Sequence, residues 1–187
     1  MTGKVWVVAG VLVLIFSGGL VGRSVISNKI QSALRDRNVQ AFLAMIGRLE
    51  SPDGYFVLYG GGHFSDTSGH PNVRVPFVNK RRALHADGSP NDFSTAAGKY
   101  QINFPTWIQI QALAFLPDFT PASQDEAAVW LLYMRGVLPS ILAGNFPEAV
   151  KLASGTWASL PGSTALQNPR SYQTALNVYV NHGGLQA

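Results

Sequence analysis

The sequence predicts an α+β fold: a mainly helical lobe, a small irregular β region set into it, and an N-terminal membrane helix in front of both. Three observations carry this reading. Apolar residues recur at helical spacing at Phe42, Met45, Ile46 and Leu49, and again in several runs after residue 103. Between 54 and 98 the chain is instead rich in Gly, Asn, Asp, Ser and Pro, with short strand-like pieces such as "YFVLY" and "VRVPFV". Residues 5–22, "VWVVAGVLVLIFSGGLVG", carry no charge. The expected division is 1–37 as membrane helix and basic stalk, and 38–187 as one folded domain.

The uncharged stretch would span about 27 Å as a helix, against a hydrocarbon core of about 30 Å. A cleaved signal peptide is the competing reading. It would have a shorter apolar region and an A-x-A-like cleavage site, and none follows "SGGLVG". A retained span is therefore preferred. Gly18 and Gly22 make a G-x-x-x-G pair, and the small residues around them dilute the hydrophobicity, so insertion should be weak.

"SVISNKIQSALRDRNVQ" then links span to body, its start continuing the helix as a polar stalk. Asn38 is the expected N-cap of the helix that carries Phe42 to Leu49. That helix delivers a single carboxylate, Glu50, into the break "SPDG". After the β region, "NFPTWIQIQALAF" opens with Asn103 as cap and Pro105 in the first turn. "SQDEAAVWLLYMRG" reads as a capping box, Ser123 with Glu126, closed by Arg135 and Gly136. "NFPEAVKLASGTW" and "NPRSYQTALNVYVNHGG" repeat the same grammar.

Composition excludes several chemistries. The formal net charge is +4, but Lys4, Arg23, Lys29, Arg35 and Arg37 against Asp36 account for all of it, and the remaining residues balance. A basic folded face for nucleic acid is therefore not expected. With no cysteine there is no disulfide framework, thiolate nucleophile or Cys-ligated zinc site. His63, His70, His85 and His182 match no H-E-x-x-H pattern, and "GGG" at 60–62 lacks the following G-K-[ST] of a phosphate loop. No metal and no cofactor is expected.

Glu50 has two readings. It is an exposed, inert charge at a helix end, or it is a general acid. A carboxyl at the edge of an apolar surface is poorly solvated, so its charged form is disfavoured and its pKa rises. Such a group can hold a proton near neutral pH and give it to a glycosidic oxygen.

The blocks "AFLAMIGRLE", "GGGHFSDTSGHP", "STAAGKYQI", "FTPASQDEAA", "RGVLPSI" and "GTWASLPG" occur in one order over about residues 40–165. In that order the body resembles the lambda-type phage endolysins, lytic transglycosylases of the lysozyme superfamily. The resemblance implies a lysozyme-like catalytic domain with a cleft between β region and helical lobe. It implies Glu50 as the catalytic acid and Tyr100, Gln101, Trp157 and Ser159 as cleft residues that bind the sugar chain. Trp157 is equally readable as a core aromatic. The "LHADGSPNDFSTAAG" stretch is longer than the family pattern, and the N-terminal span is an addition to it.

The expected activity is cleavage of the MurNAc–GlcNAc β-1,4 bond with formation of a 1,6-anhydro sugar, in phage-type host lysis. One acid suffices for it, because the substrate's own C6 hydroxyl is the nucleophile. A hydrolytic muramidase is the first alternative, with a second carboxylate drawn from Asp53, Asp66, Asp87 or Asp92. Each of these sits among turn residues, where Asp caps backbone amides. A non-catalytic membrane or virion protein that binds glycan is the second. The expected partners are peptidoglycan strands, the inner membrane through residues 5–22, and a holin or pinholin. The body is expected in the periplasm, anchored or released. The basic cluster after the span opposes that orientation, but long domains translocate largely regardless of such charge.

Overall fold

The computed structural model describes residues 6–8, 11–13, 20–77, 83–84, 90–164 and 169–187. The helix expected over residues 5–22 is corrected at once. Trp6–Val8 (β1) pairs antiparallel with Val11–Val13 (β2), Val8 opposite Val11, and the first helix starts only at Leu20. The physical reason is the choice of apolar residue. Val7, Val8, Val11 and Val13 are β-branched, and their stiff χ1 favours extended backbone over helix. Residues 5, 9, 10 and 14–19 of that stretch lie outside the described residues. Among the described residues no helix is long and apolar enough to cross a membrane.

Helix α1 (Leu20–Ala33) is not a free stalk. Ile30 and Ala33 are buried, and Ile26 and Leu34 pack against the core beside them. This spacing is one face of a helix. The face lies on α4 (Pro121–Met134), where Gln31 Nε2 donates to Glu126 Oε2 at 2.9 Å and the Lys29 ammonium sits 5.3 Å from the centre of the Tyr133 ring.

Helix α2 (Arg37–Glu50) buries the expected face, Phe42, Met45, Ile46 and Leu49 included. Its N-cap is Asp36 rather than Asn38. The Asp36 Oδ1 accepts from the Asn38 and Val39 amides at 2.9 and 3.1 Å. Asn38 instead ties the helix to distant chain: its Nδ2 donates to Ile141 O and its Oδ1 accepts from Leu185 N. Phe42 meets the Phe146 and Tyr179 rings edge-on at 6.2 and 6.3 Å. That trio pins α2 to α6 (Phe146–Ala153) and α7 (Tyr172–Asn181).

The β region is sparse. Val75–Pro76 (β3) pairs with Phe93–Ser94 (β6), and Ala83–Leu84 (β4) with Pro90–Asn91 (β5), both antiparallel. "YFVLY" forms no strand of its own, only single bridges from Val57 to His63 and Leu58 to Ala97. Helix α3 (Phe104–Ala114) starts after Asn103 as expected, but Thr95 Oγ1 accepts from the Phe104 amide while Asn103 Oδ1 accepts from Ser94. Helix α4 starts a turn earlier than the Ser123 box implies. Pro121 takes its first turn, and the Ser123 hydroxyl donates to Asp118 Oδ1 at 2.7 Å. Residues 127–132 of α4 are buried without interruption, so it runs through the centre of the core. Helix α5 (Leu138–Leu142) closes the lobe against α2 and α6.

Candidate active site

Glu50 is the last residue of α2. The helix stops because Ser51 leaves helical backbone while its amide still donates to Gly47 O, and its hydroxyl donates to Gly54 O in the turn that follows. Leu49 beneath is buried. The carboxyl is met from across the chain by Ser159, whose amide and hydroxyl both donate to Glu50 Oε1, at 3.0 and 2.6 Å. Burial pushes the Glu50 pKa up from its ordinary value. The two bonds from Ser159, hydroxyl first and then amide, oppose that rise without cancelling it. The acid is thus held in place and biased towards its protonated form.

Glu50 lines a cleft of about 870 Å³ between the β region and the helical lobe. Asp53 lies in the same wall. The β side contributes Tyr59 and Phe77, whose rings meet edge-on at 5.3 Å, and Arg74 over Phe93. The helical side contributes Gln101, Trp157 and Ala158.

The expected sugar-binding residues separate into different places. Gln101 lines the cleft in left-handed backbone at φ 46°, with its Nε2 donating to Gly98 O at 2.9 Å and Val57 O at 3.3 Å. Trp157 is buried and its Nε1 donates to Tyr100 O at 3.1 Å, so it is a core aromatic that also edges the cleft. Ser159 meets Glu50 and orients it. Tyr100 is the correction. It is 1% exposed and its hydroxyl donates to Asp125 Oδ1 at 2.5 Å, turned away from the cleft towards a carboxylate in the helical lobe.

That carboxylate belongs to a cluster the sequence reading did not find. Asp125 also accepts from Tyr55 OH at 2.9 Å, and the Lys99 Nζ donates to Tyr55 OH at 2.9 Å and stands 3.9 Å from Asp125 Oδ1. Burial first, and then the Asp125 charge, push both tyrosine pKa values up. Burial pulls Lys99 down, with Asp125 opposing. The Lys99 stem runs against Gly47 of α2, where even a Cβ would lie 2.6 Å from Lys99 Cε. The cluster therefore backs the strip that carries Glu50 at one end and Gln101 at the other.

His70 plays a similar part on the β side. Its Nδ1 accepts from the Asn72 amide at 3.0 Å, so its Nε2 carries the proton donated to Ile102 O at 2.8 Å. Phe104, Trp107 and Phe119 surround the ring, and burial lowers its pKa. Of the candidate second carboxylates, Asp66 accepts from the Ser68 amide at 2.8 Å as a turn cap, and Asp92 is exposed. Asp87 lies outside the described residues. Among the described residues no three His, Asp or Glu side chains converge as metal ligands.

Residues 40–186 match the family model described as endolysin. The chain is 33% identical over 166 residues to the endolysin of Escherichia phage P2, an alignment covering 81% of this chain and 96% of that one. It is 35% identical over 133 residues to the endolysin of Escherichia phage lambda, covering 66% and 77% of the two chains. A solved structure of bacteriophage lambda lysozyme complexed with a chitohexasaccharide superposes with a TM-score of 0.71 at 29% identity, covering 81% of this chain and 97% of that one.

Proposed function

This chain belongs to the endolysin family, lysozyme-like enzymes that cleave glycosidic bonds, and we propose that it is a lytic transglycosylase acting on peptidoglycan in phage-type lysis. The observation that carries the reading is Glu50: a carboxyl in the cleft wall, biased to its protonated form and oriented by Ser159. Protonated Glu50 gives its proton to the glycosidic oxygen between muramic acid and glucosamine as the C1–O bond breaks. The resulting carboxylate then takes the proton of the C6 hydroxyl on the same muramic sugar. That oxygen bonds to C1, which closes the 1,6-anhydro ring and returns the proton to Glu50. The intramolecular hydroxyl takes the place of a positioned water. Both sugars leave whole and no water is consumed. Gln101 and the Trp157 edge hold the strand.

Hydrolysis is the second reading, and Asp53 in the same wall is what favours it. Mass analysis of sugars released from purified peptidoglycan separates the two. Anhydro ends support the transglycosylase, and reducing muramic ends support Asp53 acting with water.

Delivery follows from sequence. The uncharged residues 5–22 and the basic residues after them support attachment to the inner membrane, with the catalytic body in the periplasm, anchored or released into it. A holin or pinholin is the matching partner. Fractionation of tagged protein before and after membrane depolarisation tests this, and tagged protein found wholly in the cytoplasm rejects it.

A further inference from the structure

We propose that Arg74 binds the carboxylate carried on the side arm of muramic acid, and so lets the cleft tell peptidoglycan from neutral chitin-type glycan. The inference rests on the reading that this cleft holds peptidoglycan, and it adds what the cleft selects. Arg74 lies in the cleft wall with its guanidinium carbon 3.5 Å from the centre of the Phe93 ring. A guanidinium stacked on an aromatic face keeps its N–H edge free for an acceptor. Arg74 takes no part in the ion pairs Lys99–Asp125 and Lys151–Glu148. Among the described residues, the charged side chains in the cleft wall are Glu50, Asp53 and Arg74, and Arg74 is the one cation of these.

The backbone that carries Arg74 is fixed before any substrate arrives. Upstream, the Asn72 amide bonds to His70, and His70 bonds to Ile102 O. Downstream, Val75 pairs with Ser94, and the Phe77 amide donates to Asp92 O at 3.0 Å. An arginine held at both flanks and stacked on a ring loses little freedom when it takes up an anion.

The chemistry of the two glycans decides what that anion is. Glucosamine and muramic acid share the N-acetyl group and most hydroxyls, so stacking and neutral hydrogen bonds treat them alike. Muramic acid alone carries a 3-O-lactyl arm. That arm ends in a carboxylate when bare, and bears a peptide with carboxylates of its own when substituted. A planar guanidinium pairs with such a group through two parallel N–H bonds.

The test uses the Glu50→Gln protein, so that ligands are bound without turnover. Affinities are measured for three probes: a bare muramyl oligosaccharide, the same oligosaccharide with its peptides, and chitohexaose. The expected result is at least one muramyl probe binding about tenfold more tightly than chitohexaose, with a gap that narrows as salt rises. Adding Arg74→Gln closes the gap, and Arg74→Lys keeps part of it. A tighter bare probe assigns the lactyl carboxylate, and a tighter peptide-bearing probe assigns the peptide. Thermal unfolding of each variant checks that folding is intact. Equal affinity for muramyl and chitin probes overturns the inference, as does a gap that survives Arg74→Gln. Native protein that fails to cleave peptidoglycan, while an Arg74-dependent gap persists, sinks the lytic reading and leaves the Arg74 assignment standing.

Discussion

Ser159 gives both of its donors to one oxygen of Glu50, the amide at 3.0 Å and the hydroxyl at 2.6 Å. Because Oε1 accepts both, the proton of the neutral acid resides on Oε2. On the proposed reading, Oε2 is then the oxygen that gives up the proton.

Replacing Glu50 with Gln keeps the amide shape but removes the exchangeable proton. Cell-wall lysis should fall by at least about a hundredfold, with the unfolding midpoint close to native. Near-native lysis by the folded variant would remove Glu50 from the chemistry.

Replacing Ser159 with Ala removes the hydroxyl bond and leaves the amide bond. That hydroxyl stabilises the carboxylate form, so its loss should raise the Glu50 pKa further. The alkaline limb of kcat/KM, where the acid loses its proton, should therefore move to higher pH, with kcat reduced more than KM is changed. A limb that stays put or moves down contradicts the orienting role.

Asp53 shares the cleft wall with Glu50, whereas Asp66 caps a turn. If the substrate supplies the nucleophile, Asp53→Asn should still release anhydro sugar as its main product. Folded Asp53→Asn protein that releases nothing would point to a two-carboxylate hydrolase.

Asp125 holds Tyr55, Tyr100 and Lys99 together. Asp125→Asn leaves the Lys99 ammonium without its counter-charge. The ion pair is about a quarter exposed, so the cost should be about 2 kcal/mol, below that of a fully buried pair. Urea unfolding measures it. A cost near zero would mean that the tyrosine hydroxyls and solvent replace the carboxylate.

His70 is held neutral, with its pKa below the ordinary 6.5. A depressed histidine disfavours protonation in the fold, so its contribution to stability is complete above about pH 6.5 and is lost as pH falls through the folded-state pKa. Native protein should lose stability on acidification over that window by more than His70→Gln does. Parallel stability curves for the two proteins would exclude His70 as the source.

The features legible in the sequence were local ones. The apolar face of α2, its break at "SPDG" and the carboxylate left there lie within a dozen positions, and the helices that begin at Phe104 and Phe146 follow Asn103 and Asn145 directly. What escaped was non-local or evenly matched. The Ser159–Glu50 bonds join residues 109 positions apart, and the Asp125 cluster draws on Tyr55, Lys99 and Tyr100. Tyr100 has no local signal for which way it turns, because its partner Asp125 lies on α4, 25 positions on. Asp36 and Asn38 are both good caps two positions apart, and only tertiary bonds to Ile141 and Leu185 occupy Asn38. In residues 6–13, hydropathy read alone hid the preference of valine for extended backbone.

Helix α1 lies on α4 from Ile26 to Ala33 as a rod, not as slack. A coil of that length would let the catalytic body swing through a wide volume about its attachment point. A docked rod makes the attachment a mount. On the proposed reading of a membrane attachment, the distance from Leu20 to the cleft is then set by the fold. A mounted enzyme works a shell of glycan at one constant depth, as a plane takes shavings of one thickness. A detached copy ranges through every layer, so the same cleft would trim while held and perforate once free.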